Sequence, residues 1–307
     1  MGSKLGAVGP LAESDVETVL RSAALAPSVY NTQPWAFRRT DHDIELHGDF
    51  SRGLAVADQD NRELVLSCGA ALFNLRAAVH RCGCLPVGSL RPRLDRPSLL
   101  AVVRPVPTGA PDPAMVRLAS AIPHRSTIRS TLTKSVVAEA RVVELRRAAE
   151  AEHAWLVVLA GAQLVAAAAL IATACRQQLE DSGFRSERAR WAGRHRPDGL
   201  PGTAEHRRAP VSAGAADELP LLVVIGSFED GPIDRLRVGQ ALQRVLLTAT
   251  LAGLDVAFRS APVELAGARR ELRELAGGAI WPQVLLELGK GRPTPRTPRR
   301  AIEDLLR

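Results

Sequence analysis

The chain is poor in the features that mark several common protein classes. It has four cysteines in 307 residues, with neither Cys-x-x-Cys spacing nor histidines close by, so neither a zinc site nor a disulfide framework is indicated. It contains no Gly-x-Gly-x-x-Gly, no Gly-x-x-x-x-Gly-Lys-Ser/Thr and no Gly-x-Ser-x-Gly, which weighs against dinucleotide-binding, P-loop and α/β-hydrolase sites. The seven histidines lack the helical spacing of a metal site, and we predict none.

Long hydrophobic runs are also missing. Residues 1–14 lack a basic start followed by an apolar run, and the most apolar helical pattern, residues 164–175, is too short to cross a bilayer. We therefore expect a cytoplasmic protein without a membrane partner. A hydrophobic content of 46% in a chain of this length is enough for one large domain or two closely packed halves.

The net charge of +7 raises the question of an anionic partner. The arginines are scattered, and the one local basic run, residues 290–300, is interrupted by three prolines and indicates an extended arm. No helix-turn-helix, zinc-finger or aromatic-basic RNA motif accompanies it. We expect no nucleic-acid partner, and the net charge is still compatible with a phosphate-bearing small molecule.

Residues 26–35 carry the most informative pattern, Ala-Pro-Ser-Val-Tyr-Asn-Thr-Gln-Pro-Trp. Its two prolines end the preceding helix and stiffen the loop. Asn31 and Gln33 each offer one amide acceptor and two donors, which matches the alternating pattern along the pyrimidine edge of a flavin. The alternative interpretation is a proline-rich helix stop followed by a buried Trp35.

Two internal repeats indicate a duplication. Residues 20–26 resemble residues 145–151 at an offset of 125, and each segment ends a helical pattern that is followed by a tryptophan opening an apolar strand. Those tryptophans are Trp35 and Trp155. Each half thus has an amphipathic helix and then a strand in the same order.

A second pair of segments repeats at an offset of 170. Residues 69–72 align with residues 239–242, within long helical patterns that end at Gly83 and Gly253. A glycine at that position predicts a left-handed residue closing the helix. Strand patterns at residues 99–104 and 284–288 follow the two helices.

The Pro-Ser-x-x-Asn-x-Gln-Pro-Trp loop resembles the flavin-facing loop of the nitroreductase superfamily, in which one subunit of a dimer contributes it to the FMN of the other. Together with residues 197–201, 282–286 and 297–300, it resembles the Acg-type branch, in which two half-domains are fused. The resemblance implies an α+β fold with a half at residues 1–110, a half at residues 111–307, and FMN at their junction. It implies an intramolecular pseudo-dimer that functions as a monomer, with a lid at about residues 181–218.

The two copies differ at the loop. Residues 27–34 separate the first helix from its tryptophan, whereas only residues 152–154 remain in the second copy. If each half descends from one subunit of a two-site dimer, only the first half can face the flavin. We therefore predict one flavin per chain, held on the second half.

The resemblance assigns cofactor-binding residues in three segments. Within the loop, Asn31 and Gln33 would bond the ring edge, while the other loop residues would support the loop or pack on the ring. Guanidinium groups and hydroxyls suit the phosphate; the alternatives are an exposed helix-entry loop and a loose basic tail. The predicted set is Ser28, Asn31, Thr32, Gln33, Pro34, Arg125, Ser126, Arg129, Thr297, Arg299 and Arg300.

The function implied by the resemblance is that of an FMN-dependent NAD(P)H oxidoreductase. It would reduce a flat, electron-poor acceptor such as a nitroaromatic or a quinone, or oxidise a small metabolite. We predict no catalytic side chain, because the flavin itself transfers electrons. The alternative is an FMN-binding or sequestering protein whose lid blocks turnover.

Overall fold

The computed structural model describes residues 5–129, 132–133, 137–192, 198–200, 220–292 and 296–307. Within these residues the chain alternates helices with short strands. The helices are α1 (Glu13–Ala24), α2 (Arg62–Arg81), α3 (Pro113–Ala121), α4 (Glu139–Glu150), α5 (Ala162–Glu180), α6 (Ser182–Arg190), α7 (Pro232–Leu251), α8 (Ala261–Glu264) and α9 (Ala266–Leu275). The strands are β1 (Trp35–Arg39), β2 (Ile44–Gly48), β3 (Cys84–Leu90), β4 (Leu99–Pro107), β5 (Trp155–Leu159), β6 (Leu221–Ser227), β7 (Asp255–Phe258) and β8 (Trp281–Gly289).

The strands form two four-stranded sheets with one topology. The first has the order β1-β2-β4-β3 and the second β5-β6-β8-β7, with every neighbouring pair antiparallel. Trp35 opens β1 opposite Gly48, and Trp155 opens β5 opposite Gly226. The predicted fold class, α+β with two tandem half-domains, is confirmed.

The long helices α2 and α7 join the halves by crossing at two glycines. A Cβ on Gly69 would lie 2.4 Å from the carbonyl oxygen of Leu236, and one on Gly239 would lie 2.2 Å from that of Leu66. No side chain fits there, so the backbones pack directly. The two contacts are related by the offset of 170 seen in the sequence. Gly83 and Gly253, which follow the two helices, have φ of +76° and +68°, as predicted.

Polar contacts across the crossing obey the same relation. Gln243 donates from Nε2 to Oδ1 of Asn74 at 2.7 Å. The guanidinium of Arg244 lies 5.9 Å from the ring centre of Phe73. Residue 74 plus the offset of 170 is residue 244, and residue 243 minus the same offset is residue 73. The Asn74–Gln243 pair therefore corresponds to the Arg244–Phe73 pair. The two halves are therefore related by a pseudo-two-fold axis through this crossing.

In the second half, a buried carboxylate stands where the first half has its amide loop. Glu152, 4% exposed, accepts from Arg76 at 2.5 Å and from Arg244 at 3.0 Å, one arginine from each long helix. Arg76 also donates to Oε1 of Gln240 at 2.7 Å. The second copy of the loop is thus replaced by an ion-paired cluster.

The carboxyl-terminal segment packs on the first half. Ile302 and Leu305 are buried in the core built around α1, α2 and the first sheet. Arg307 donates its backbone N–H to the carbonyl of Phe37 at 2.9 Å. The end of the chain is thereby carried from the second half back to the first. The boundary between the two halves, predicted between residues 110 and 111, stays a prediction.

Among the described residues, no helix combines the length and the apolar character needed to cross a bilayer.

Candidate functional site at the junction of the halves

A cavity of about 240 Å³ lies between the two halves. The first half contributes the amide loop after α1 and the first turns of α2. The second half contributes the segment after α3, the end of β7 and the middle of β8, and the carboxyl-terminal segment closes one side. The lining includes Pro27, Ser28, Tyr30, Asn31, Glu63, Leu66, Ser67, Arg125, Ser126, Thr127, Arg129, Leu242, Arg259, Ser260, Val263, Gln283, Val284, Leu285, Arg296, Thr297 and Arg299.

The amide loop has an unusual backbone. Tyr30, Asn31 and Gln33 have φ of +50°, +56° and +49°, in the left-handed region that asparagine tolerates better than other non-glycine residues. The hydroxyl of Ser28 accepts from the backbone N–H of Gln33 at 2.9 Å, which matches its predicted role of supporting the loop. Residues in this region cost on the order of 1 kcal/mol or more each, so the surroundings must hold the loop in shape.

The Asn31 amide connects three segments of the chain. Its Nδ2 donates to the carbonyls of Gly199 at 3.1 Å and Pro298 at 3.0 Å, and its Oδ1 accepts from Arg299 at 3.1 Å. Gln33 is fully buried, and its Oε1 accepts from the backbone N–H of Arg300 at 2.9 Å. In the structure, these amides bond the segment predicted as a lid and the carboxyl-terminal arm. The bonds to a flavin edge stay a prediction.

Arg125 is a buried cation of the lining. It is 9% exposed, its Nη1 donates to the hydroxyl of Thr127 at 3.2 Å, and its Nε has no hydrogen-bond partner among the described residues. Burial, followed by repulsion from Arg299, Arg129 and Arg296, lowers the pKa of Arg125 to about 9. A buried, charged group with an open donor favours an anion beside it.

Arg299 has a structural role as well as a place in the lining. Its Nε donates to the carbonyl of Ala24 at 2.9 Å, and its Nη2 donates to those of Leu25 and Ala26, each at 3.3 Å. These carbonyls end α1, where a cation is favoured. Burial and the charge of Arg129 lower the pKa of Arg299 to about 10.

The described part of the segment predicted as a lid contacts the first half at several points. The carboxylate of Glu187 on α6 accepts from the backbone N–H groups of Val56 at 3.1 Å and Ala57 at 2.8 Å. Arg52 is paired with Asp198, and its guanidinium lies 5.3 Å from the ring centre of Trp191. Residues 193–197 and 201–218 of the predicted lid lie outside the described residues.

The predicted residues divide into two groups. Seven line the cavity: Ser28, Asn31, Arg125, Ser126, Arg129, Thr297 and Arg299. The other four are absent from the lining: Thr32, Gln33, Pro34 and Arg300. Arg300 instead donates to the carbonyl of Gln33 at 3.2 Å. The Pro34 carbonyl accepts from the backbone N–H of Asp49 at 2.9 Å.

Several polar residues of the lining were not predicted. Glu63 was missed because an acidic residue in the first turn of a helix normally complements the helix dipole. Arg259 and Ser260 follow β7 without any motif. Gln283 belongs to a segment that carried the family resemblance, but its sequence gave no sign that it faces the cavity.

The fold and the cavity define a class, an internally duplicated α+β protein with an arginine-rich cavity between its halves. A scan of family models gives no match. The chain is 33% identical over 316 residues to a Mycobacterium tuberculosis H37Rv protein named "Putative NAD(P)H nitroreductase Rv3131", covering 95% of this chain and 90% of the relative. It is 28% identical over 313 residues to "Putative NAD(P)H nitroreductase acg" of the same strain, covering 94% of each. The chain belongs to the Acg-type branch of the nitroreductase superfamily.

Solved structures with a similar fold include a nitroreductase with bound FMN from Desulfitobacterium hafniense. It is 15% identical, with a TM-score of 0.44, and covers 61% of this chain and 95% of its own. The FMN- and NADPH-dependent nitroreductase NfnB from a Sphingopyxis species has the same identity and TM-score and covers 61% of this chain and 96% of its own. The family assignment rests on the sequence relatives.

Proposed function

We propose that the protein is an FMN-dependent oxidoreductase of the nitroreductase type. It takes electrons from NAD(P)H and passes them to a flat, electron-poor acceptor such as a nitroaromatic or a quinone, or it oxidises a small metabolite. The observation that carries the proposal is the buried Nε of Arg125, which lacks a partner among the described residues and lies in an arginine cluster beside an apolar cavity wall.

The arginine cluster fits a phosphate. Arg125, Arg129 and Arg299 line the cavity together with the hydroxyl residues Ser126 and Thr297. Charge-assisted bonds from guanidinium groups are the usual means of holding a phosphate. A dianion there would offset the burial and the mutual repulsion that lower the pKa of Arg125. The charged arginines, which destabilise one another in the ligand-free cavity, would then be stabilised by the bound anion.

The remaining wall fits a flat ring. Leu66 and Leu242 from the two long helices face the cavity with Val263, Val284 and Leu285 of the second half. Burial of an aromatic ring system against such side chains contributes about 25 cal/mol per Å². Bound FMN would supply the hydride chemistry, while the chain holds the phosphate, encloses the ring and excludes water.

The first test is the chromophore of the purified protein. We expect a yellow protein whose released chromophore has the mass of FMN. Anaerobic addition of NADH or NADPH should bleach it, and menadione or nitrofurazone should restore the colour. Protein that stays colourless after incubation with excess FMN and desalting would remove the proposal.

The contacts of the lid favour a second candidate, an FMN-holding protein with little turnover. Asn31 bonds the carbonyl of Gly199, and Arg52 pairs with Asp198, so the described part of the lid is fastened at the cavity. A fastened lid can exclude NAD(P)H as well as water. A yellow protein that neither nucleotide bleaches would favour this candidate.

Release of the lid separates the two candidates. Arg52→Ala removes the ion pair with Asp198, and Arg93→Ala removes an exposed pair with Asp95 as the matched control. If the lid limits access, R52A should speed bleaching by NADPH at least tenfold while R93A leaves it unchanged. Equal, rapid bleaching in all three proteins would support the oxidoreductase and count against a blocking lid.

A further inference from the structure

Glu63 is the one carboxyl group among the described residues that line the cavity. It lies in the first turn of α2 and is 7% exposed. Leu66 and Ser67, one turn further along the helix, line the same wall. The side chain of Glu63 therefore lies next to the apolar surface that is proposed to face the ring system. A titratable group at this position can exchange a proton with a molecule bound in the cavity.

The two oxygens of Glu63 have different surroundings. Oε1 accepts from Nη2 of Arg62 at 2.6 Å. Arg62 is itself fixed, since it donates to the carbonyls of Gln283 at 2.7 Å and Val263 at 3.0 Å. Oε2 has no hydrogen-bond partner among the described residues. The carboxyl group is thus anchored through one oxygen, and the other is left for the cavity.

The charges around Glu63 do not balance if every group is ionised. The charged groups that act on Glu63 are Arg62, Asp58 and, from α8, Glu264. Asp58 accepts from the backbone N–H groups of Glu63 and Leu64 at 2.9 and 2.8 Å, and Glu264 accepts from Gln178 at 2.5 Å. Arg259, also in the wall, is paired with Glu287. Among these groups, one cation, Arg62, and two carboxyl groups, Glu264 and Asp58, act on Glu63.

Burial favours the protonated form of Glu63. Burial raises its pKa to about 8, with Arg62 opposing and Glu264 and Asp58 adding to the effect. Both oxygens of Asp58 accept from backbone N–H groups. Glu63 and Glu264 each have one oxygen that accepts and one without a donor among the described residues, and of these two residues only Glu63 lines the cavity. At neutral pH the cavity wall thus presents a carboxylic acid, which can donate a hydrogen bond or a proton.

We propose, building on the proposed function, that Glu63 donates the proton that accompanies reduction of the acceptor in this cavity. Reduction of a quinone to a hydroquinone takes a hydride and a proton, and bound reduced FMN would supply the hydride. The proton leaves Oε2 of Glu63 and forms an O–H bond with the quinone oxygen. Glu63 becomes a carboxylate beside Arg62 and regains its proton from water.

The test compares two electron acceptors on the reduced holoprotein. Menadione needs protons for its reduction, whereas ferricyanide takes electrons alone. Glu63→Gln keeps the size of the side chain and removes the acid. We expect E63Q to reoxidise with menadione about 100-fold more slowly or more, and with ferricyanide at about the wild-type rate. The exposed Glu271→Gln makes the same change elsewhere and should alter neither rate.

The pH profile gives a second criterion. The wild-type rate with menadione should fall above about pH 8 as Glu63 ionises, and the E63Q rate should not respond there. Equal rates of E63Q and wild type with menadione, or equal slowing with both acceptors, would overturn the proposal. In either case the FMN content and bleaching by NAD(P)H of the wild type still decide the proposed function separately.

Infrared spectroscopy tests the protonation state without turnover. A carboxylic acid C=O band of the holoprotein at pH 7 should disappear in E63Q and titrate near pH 8 in the wild type. If E63Q does not fold, Glu63→Asp replaces it in this test, because it keeps a carboxylic acid at residue 63 and should shift the frequency of the same C=O band. Absence of any band that responds to substitution at residue 63 would overturn the proposal.

Discussion

At the scale of single residues, the burial of Arg125 is unfavourable in the ligand-free fold, and in the proposed function the same residue binds the phosphate. Its burial and three arginine neighbours lower its pKa, so the charged side chain is unfavourable in the ligand-free fold. Arg125→Met should therefore raise the Tm of the FMN-free protein. It should also weaken FMN binding about 10- to 100-fold, because a hydrogen bond to a charged group contributes about 1.5–3 kcal/mol. Thermal unfolding with and without FMN measures both effects.

The control for Arg125 is an arginine that faces solvent. Arg117 lies exposed on α3, and Arg117→Met should change neither the Tm nor the affinity for FMN. A lower Tm of R125M without FMN, together with an unchanged affinity, would show that Arg125 supports the fold and not a phosphate.

Glu63 should also affect stability in a defined pH range. Since burial raises its pKa to about 8 from the ordinary 4.5, the folded protein holds a proton that the unfolded chain releases. Its contribution to the free energy of unfolding is complete below about pH 4.5 and is lost as pH rises towards 8. In E63Q the free energy of unfolding should depend less steeply on pH over this range, the slope changing by at most about 1.4 kcal/mol per pH unit. Urea unfolding from pH 5 to 8 provides the measurement, and parallel curves for the two proteins would contradict it.

At the scale of elements, the crossing of α2 and α7 depends on two glycines. Gly69→Ala would place Cβ 2.4 Å from the carbonyl oxygen of Leu236, and neither backbone can yield without separating the halves. We expect the free energy of unfolding to fall by about 1–3 kcal/mol or more. Gly267→Ala in α9 is the control, since its Cβ would meet nothing within 4 Å. It should cause no loss, and a gain of up to about 1 kcal/mol is expected.

The amide loop illustrates what an element's own sequence can predict. Pro27 and Pro34 determine that the helix stops and that the loop is stiff. The loop sequence does not predict the partners of Asn31, because Gly199 and Pro298 are 168 and 267 residues away in the chain. Local pattern contains no information about such contacts. The polar character of the loop was therefore predictable, and the lid and arm that it holds were not.

At the scale of the whole molecule, the asymmetry of the halves predicts a stoichiometry. The position equivalent to the amide loop is filled by Glu152 with Arg76 and Arg244, and both halves of the site come from one chain. We expect one FMN per 32.9 kDa chain and a monomer in solution. Native mass spectrometry with light scattering measures both. Two flavins per chain would contradict the loss of the second site.

The sequence by itself determined the duplicated order of elements, the strands opening at Trp35 and Trp155, and the left-handed glycines after both long helices. These features follow from local periodicity, backbone freedom and repetition, which act over short stretches of chain. It also indicated Arg125 as a cavity residue, through a family motif. Only the tertiary structure decided that Gln33 holds the carboxyl-terminal arm and that Glu63 faces the cavity. The reason is physical: burial, hydrogen-bond partners and the balance of neighbouring charges depend on which distant segments meet.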